Sequence, residues 1–344
     1  MRLLILHDHV GDAARPDEVD VLDQAEAVAA ALADLAHSSR RRPVDLDLAR
    51  LAGELSRRRP DCVFNLVEQL AGAGRLVHVV PSLLDHLAVP YSGAPAEAQV
   101  LTGNKLLAKQ VMAREGIATP EWRTAADLAS ARTLGEGDWI VKSVWEHASL
   151  GLDEGSVLRH PSAAAAAVAL AERLPRLGGA GFVERYVEGR EINLSLLASA
   201  EGTPEVLPPA EIVFEGWQPG RPRVVGYRAK WDEASFEATH TVRRFGLAAA
   251  DEALLGTLER LARRLWAVFG LRGYARVDFR VDAAGEPWVL EVNTNPCLAP
   301  GAGFAAALER AGHPFREAVA RILADALQPA AALPSSYVPH PRDP

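Results

Sequence analysis

The sequence predicts an α/β protein: a doubly wound parallel sheet at the N-terminus, followed by two α+β pieces with a cleft between them. Three observations lead there. Short apolar runs alternate with helix-period segments over roughly the first 95 residues. Farther along, strands alternate polar and apolar residues and one pair is joined by a turn-forming pentapeptide, Asp282-Ala283-Ala284-Gly285-Glu286. Of the 344 residues, 49% are hydrophobic and 24% charged, enough apolar material for a true core across two or three units of ordinary size.

Composition also excludes whole classes. Lys+Arg total 37 against Asp+Glu 45, a formal net charge of −8, which argues against nucleic acid or an anionic membrane as the main partner. No apolar run approaches the roughly 20 residues of a membrane helix, and Leu3–Leu6 meets His7-Asp8-His9 too soon for a signal-peptide core. Cys62 and Cys297 are far apart, so neither a disulfide scaffold nor a structural zinc site is expected. A cytoplasmic enzyme fits these bounds.

Taken in order, Leu3–Leu6 reads as a buried strand, Val19–Leu35 as a helix with Val21, Leu22, Ala25, Val28 and Leu32 at helical spacing, and Asp61–Leu66 as a second strand. A short helix over Pro81–Leu87 and a strand at Val89–Gly93 complete this unit. Pro95 opens a helix expected to run to Gly116, because proline at the first turn loses no hydrogen bond. Trp139–Lys142 is a strand entering the polar loop His147–Gly155, and Ser162 caps an Ala-rich helix. Gly181–Val187 and Ile192–Leu197 read as strands. Leu254, Leu258, Leu261, Leu265 and Val268 line one face of a helix ended by Gly270. The expected units are 1–95, 96–180 and 181–328, with a disordered tail over 329–344 rich in Pro, Ala and Ser.

The chemistry concentrates in the hairpin Val277–Val281/Trp288–Val292. Side chains alternate along a strand, so Arg276 and Asp278 share a face, as do Glu291 and Asn293. Pairing the strands gathers an arginine, two carboxylates and an amide oxygen, hard ligands suited to Mg²⁺; an ordinary surface ion pair is the competing reading. Lys105, Lys142 and the small-residue loop Glu146–Gly151 add positive charge and approachable backbone N–H groups, as a triphosphate requires, although each lysine alone is an ordinary surface charge.

The ordered set resembles the ATP-grasp superfamily and, within it, the D-alanine–D-alanine ligase family. It comprises Asp61–Leu66, Val89–Gly93, Lys105, Lys142 with Ser149-Leu150-Gly151, Val183–Glu191, Pro208–Ile212, Ala229-Lys230-Trp231, Arg276–Phe279 and Leu290–Pro296. The resemblance implies a three-domain ATP-grasp fold with ATP held between the central and C-terminal domains. It also implies an ADP-forming carboxylate–amine ligase that works through an acyl phosphate. Lys105 and Lys142 would meet the phosphates, and Ser149 and Gly151 would close over them. The segment Glu184, Arg185, Tyr186, Val187 would bond the adenine edge through its backbone, and Glu191 would hold the ribose. Lys230 and Arg276 would be catalytic, Asp278, Glu291 and Asn293 would hold two Mg²⁺ ions, with Mn²⁺ as a substitute, and the Cys297 N–H would add an oxyanion donor. The partners implied are a small carboxylate and a small amine; a homodimer is common in the family.

Departures from the family pattern cluster where substrates bind. Trp231 replaces a tyrosine, Ala148 and Ala302 replace serines, and Asn65-Leu66-Val67-Glu68 stands where a His-Gly segment is usual. The loop His7–Pro16 lacks the family's glycines and glutamate. A substrate other than D-alanine is therefore expected, larger or more aromatic given Trp145, His147 and Trp231. Glu68, Asp8 and His9 are candidates for a substrate amine, with loop solvation the plainer reading. The alternatives are an authentic D-alanine–D-alanine ligase, a mycosporine-type amino-acid ligase, and a non-catalytic ATP-binding module.

Overall fold

The computed structural model describes residues 1–328 except 12–13, 147–148 and 248. The tail expected to be disordered, and His147 and Ala148, lie outside the described residues.

A first sheet holds β1 (Arg2–Asp8), β2 (Ser38–Val44) and β3 (Cys62–Asn65) in the order β2-β1-β3, all parallel. Leu3, Leu4, Ile5 and Leu6 are buried on both faces, as a central parallel strand must be. Helix α1 (Pro16–Asp34) packs on one face, and α2 (Leu48–Arg57) and α3 (Val79–His86) on the other. Strand β2 escapes a hydrophobicity reading because Arg40, Arg41 and Arg42 fill its middle. The strand lies at the sheet edge, where charge is tolerated, and Arg40 and Arg42 both pair with Glu54. The strand expected at Val89–Gly93 is reduced to one bridge, Val63 with Tyr91. Pro90 lacks an N–H, and Gly93 turns the chain away at φ +86°.

The helix expected over Pro95–Gly116 is two helices, α4 (Ala96–Gly103) and α5 (Lys105–Arg114). Asn104 restarts it: its Oδ1 accepts from Leu106 N at 3.0 Å and Leu107 N at 3.1 Å. The break places Lys105 in a first turn, buried against the cleft.

The second sheet, β4 (Trp122–Arg123), β5 (Trp139–Ser143), β6 (Val157–Leu158) and β7 (Gly181–Arg185), runs β4-β7-β5-β6. Helices α6 (Ala125–Ser130) and α7 (Ala163–Arg173) cover it. Strand β7 pairs here with β4 and β5.

The third sheet contains β8 (Arg190–Leu197), β9 (Glu205–Val206), β10 (Ala210–Phe214), β11 (Thr241–Phe245), β12 (Tyr274–Val281) and β13 (Pro287–Asn293). Its order is β11-β10-β8-β12-β13, with β9 beside β8. Ile192, Leu194, Val277, Phe279, Val289 and Val292 point to one face, where α4, α5 and α10 (Glu252–Val268) bury them. The opposite face is polar and forms the floor of the cleft. Two short helices, α8 (Tyr227–Trp231) and α9 (Phe236–His240), bridge β10 and β11. The last helices, α11 (Gly303–Ala311) and α12 (Phe315–Ala326), share a core with α1, β1 and β3. The chain thus returns to its N-terminal unit instead of closing the C-terminal one.

Between the second and third sheets stands Gly189, at φ +155°, where an added Cβ would lie 2.0 Å from the carbonyl oxygen of Val281. Gly189→Ala should destabilise the protein by about 2 kcal/mol or more, by strain together with steric displacement of β12; urea unfolding measures it.

Candidate active site

The site follows from strand alternation on the third sheet. Glu191 and Asn193 of β8, Arg276, Asp278 and Arg280 of β12, and Glu291 and Asn293 of β13 line one cavity of about 550 Å³. Register brings Asp278 opposite both Glu291 and Asn193, and Arg276 opposite Asn293. The hairpin residues expected to gather do so.

Their pairing is specific. The Arg276 guanidinium donates from Nε and Nη2 to the two Asp278 oxygens at 2.7 and 2.8 Å, and the carboxylates around it hold its pKa above the ordinary arginine value despite burial. Glu191 accepts from Arg280 Nη2 at 2.8 Å. Asn193 Oδ1 is buried with no hydrogen-bond partner among the described residues. Asp278, Glu291, Asn293 and this orphaned amide oxygen form a hard-oxygen donor set that fits Mg²⁺, with phosphate oxygens to complete it. Two carboxylates with two amides suit a cation shared with a substrate; among the described residues no cluster of three His, Cys, Asp or Glu side chains offers a closed site.

The second sheet supplies the facing wall. Lys142 pairs with the buried Glu184, whose other oxygen lies 2.8 Å from Lys109 Nζ. Lys109, itself buried, also donates to Thr119 Oγ1 at 2.7 Å and Pro120 O at 3.0 Å. Sequence reading missed Lys109, because its helix position resembles that of any surface lysine. Burial presses Glu184 toward its neutral form, but the two ammonium groups prevail and its pKa falls. Lys105 Nζ donates to Glu146 O at 2.8 Å and sits 3.8 Å from Glu291; burial lowers its pKa. Within the backbone segment 184–187, Arg185 N donates to Glu121 O at 2.8 Å and Tyr186 N to Asp138 O at 2.9 Å. Val187 N keeps no backbone partner among the described residues.

Loops close the top. Ser149 Oγ donates to Val225 O at 2.7 Å and Tyr227 N to Leu152 O at 3.0 Å, which joins the loop holding Gly151 to helix α8. Gly151 is required there, since a Cβ would meet Arg176 O at 2.5 Å. Tyr227 Oη donates to Asp17 Oδ1 at 2.8 Å, which ties α8 to α1. Lys230, on α8, faces Arg276, Asp278, Glu291 and Glu191, and burial lowers its pKa. Trp231 also lines the cavity.

The N-terminal unit contributes acid. Asp17, Asp20 and Glu68 line the same cavity. Glu68 accepts from Gln24 Nε2 at 2.9 Å, and burial, with Asp20 and Asp17 nearby, pushes its pKa up to about 7. Loop solvation does not describe it. Asp8 is a structural anchor: its Oδ1 accepts from Glu68 N at 3.0 Å and Gln69 N at 3.2 Å. Asp17, Asp20 and Gln24 were legible only as helix residues, because nothing in α1 shows which turn meets the cleft. Cys297 donates its thiol to Asp20 at 2.8 Å, and burial raises its pKa well above the ordinary thiol value. Ala302 is the N-cap of α11 and offers no capping oxygen.

The chain is similar to known proteins. A family model described as D-ala D-ala ligase C-terminus matches residues 137–324. A D-alanine–D-alanine ligase of Synechococcus sp. (strain JA-3-3Ab) is 35% identical over 321 residues, covering 91% of each chain. Among solved structures, a D-alanine–D-alanine ligase from Bacillus anthracis superposes with a TM-score of 0.69 at 19% identity, over 95% of this chain and 97% of that one. The same enzyme complexed with ATP gives 0.67 at 19% identity, with the same coverage of each chain.

Two predictions follow from the buried charges. Lys109→Met should cost about 3–5 kcal/mol in urea unfolding, because it strands Glu184 in the interior with half its compensation. For Glu68, the folded pKa lies above the ordinary 4.5, so its contribution to stability is full in acid and lost as pH rises through about 7. Unfolding free energy should fall over that window, and Glu68→Gln should flatten the fall.

Proposed function

This chain belongs to the D-alanine–D-alanine ligase family of ATP-grasp enzymes, ADP-forming ligases that make C–N bonds, and on that premise we propose that it condenses two α-amino acids, with D-alanine the leading candidate for both. The single observation that carries the reading is the convergence of Lys105, Lys142, Lys230, Arg276 and the Asp278–Glu291–Asn293 oxygen set on one cavity floored by acid at its N-terminal side.

The chemistry that these residues serve is an electrostatic problem. Two unit anions 4 Å apart repel by about 4 kcal/mol at an effective dielectric near 20, which a carboxylate approaching a triphosphate must overcome. Lys105 and Lys142 neutralise the phosphates, and Lys230 and Arg276 face the phosphoryl group being transferred. Asp278, Glu291 and Asn293 would hold Mg²⁺, which supplies charge neutralisation and orientation of the phosphates. Val187 N addresses the adenine edge and Glu191 the ribose. Glu68 with Asp17 and Asp20 receives the ammonium of the first amino acid. Its carboxylate attacks the γ-phosphorus, ADP leaves, and an acyl phosphate results. The amine of the second amino acid then attacks the acyl carbon, with the Cys297 N–H as donor to the developing oxyanion, and expels phosphate. The Ser149–Val225 and Tyr227–Leu152 contacts keep the loops shut, so water does not consume the acyl phosphate.

D-alanine leads because the relative of that name is 35% identical over 91% of this chain. A second reading, a different amino acid in one pocket, is favoured by Trp231 and Ala302, which remove hydroxyl groups from the cavity lining. A homodimer in the cytoplasm, where ATP and amino acids are available, is the setting proposed.

The test is ADP release from MgATP with panels of D- and L-amino acids, with the product identified by mass spectrometry. D-alanine-dependent ADP release with a D-alanyl-D-alanine product is the expected result. Release only with another amino acid transfers the assignment to the second reading, and nucleotide binding without turnover leaves a non-catalytic module. Glu291→Gln should lower turnover by at least about a hundredfold while the fold is retained.

A further inference from the structure

At the Glu191 end of the cavity stands a buried arginine that no reaction step uses. Arg280 lies on β12 two residues beyond Asp278, directly opposite Glu191 of β8 in the sheet register, and both residues line the cavity. A buried guanidinium must spend its donors, and this one spends them in three directions. Nη2 donates to Glu191 Oε2 at 2.8 Å and to Arg223 O, and Nη1 donates to Gly189 O at 3.2 Å. The ring centroids of Tyr186 and Phe214 lie 5.9 and 5.8 Å from its central carbon, so aromatic faces enclose it as well.

The two carbonyl anchors are themselves held. Gly189 packs so tightly on the end of β12 that it has no room for a Cβ. Arg223 exchanges two hydrogen bonds with Tyr186: its N–H donates to the Tyr186 hydroxyl at 2.9 Å, and that hydroxyl donates to Arg223 O at 3.2 Å. Two residues on, Val225 O accepts from Ser149 Oγ. The guanidinium therefore cannot turn without breaking contacts to the linker between the sheets and to the 223–225 segment. Glu191 is pinned to this fixed fork through Oε2 alone. Its Oε1 accepts no hydrogen bond among the described residues. Arg276 and Lys230 act on Glu191 through space, yet among the described residues neither bonds it. Glu191 thus keeps one oxygen for a further donor, on a side chain that Arg280 holds still.

We propose that Arg280 is a positioning residue for nucleotide recognition: it fixes the Glu191 carboxylate so that the free oxygen meets a ribose hydroxyl, and the protein thereby tells ribose from deoxyribose. This rests on the reading that Glu191 holds the ribose. A glutamate side chain loses rotamer freedom when it accepts a ligand's hydrogen bond. The Arg280 fork imposes that loss before the nucleotide arrives, which is preorganisation in its simplest form. It also neutralises an acid that would otherwise repel the phosphates in the same cavity. A lysine could supply the charge, but its single ammonium could not span a carboxylate and two carbonyls in a fixed plane.

Calorimetric titration of the full chain with MgADP and with the magnesium complexes of 2′-deoxy-ADP and 3′-deoxy-ADP tests this without turnover. Wild-type protein should bind MgADP about tenfold more tightly than at least one deoxy form. Arg280→Met should weaken MgADP binding by about tenfold and bring the ribose preference close to none. Arg280→Lys should recover affinity more than preference, because it returns the charge without the fork. Glu191→Ala should erase the preference too, and adding Arg280→Met to it should change the preference no further, since one residue acts through the other. Thermal melting identifies the folded variants; if Arg280→Met does not fold, Arg280→Lys carries the comparison. A ribose preference that survives intact in the folded Arg280 variant, while Glu191→Ala erases it, overturns the inference and leaves the ribose reading standing. No ribose preference in wild-type protein, or one that Glu191→Ala does not touch, overturns the ribose reading and the inference with it.

Discussion

The register of the third sheet is the constraint on which the rest of the molecule depends. One face of β8, β12 and β13 is wholly apolar and sealed by α4, α5 and α10; the other carries every charged group of the floor. Because side chains alternate with period two, a one-residue slip of β12 would drive Arg276, Asp278 and Arg280 into the core and expose Val277 and Phe279. The hydrophobic core therefore sets the positions of the charges. Asp278 faces Glu291 because Val277 and Val292, paired beside them, have nowhere else to go.

Charge compensation is the second organising feature, and it is uneven by location. At the facing wall, Glu184 is held between Lys109 and Lys142, so a lysine that points at the cleft is positioned by one that never reaches it. On the floor, Arg276 and Asp278 neutralise one another, as do Arg280 and Glu191. At the N-terminal side, by contrast, acid dominates the lining: Asp17, which pairs with Arg15, stands with Asp20 and Glu68.

Closure ties these regions together. Helix α8 carries Lys230, and its neighbours reach the 149–152 loop through Ser149 and Leu152 and helix α1 through Tyr227 and Asp17. Gln24 bridges Glu68 to the backbone of Leu298, which links α1 to the segment leading into α11. Around the cavity these polar contacts add to the apolar cores that the first and third sheets share.

Local pattern alone carried much of this. Alternation placed Arg276 with Asp278 and Glu291 with Asn293, Ser162 capped its helix, and the buried runs of β1 and β3 were plain, because pleat, capping and apolar burial are properties of a few consecutive residues. The order of motifs along the chain also sufficed for the family. The edge strand β2 was hidden by its arginines, and the break at Asn104 by a continuous helical period. What no local pattern could supply is which helical turn, loop end or strand edge meets which. That Lys109 is buried against Glu184, that Asp17, Asp20 and Gln24 face the cleft, that α11 and α12 return to β1, and that Arg280 meets the backbone of Gly189 and Arg223 are facts of long-range packing. They arise from loop closures and helix docking over tens to hundreds of residues, where the free energy belongs to the assembled core and to no segment of sequence by itself.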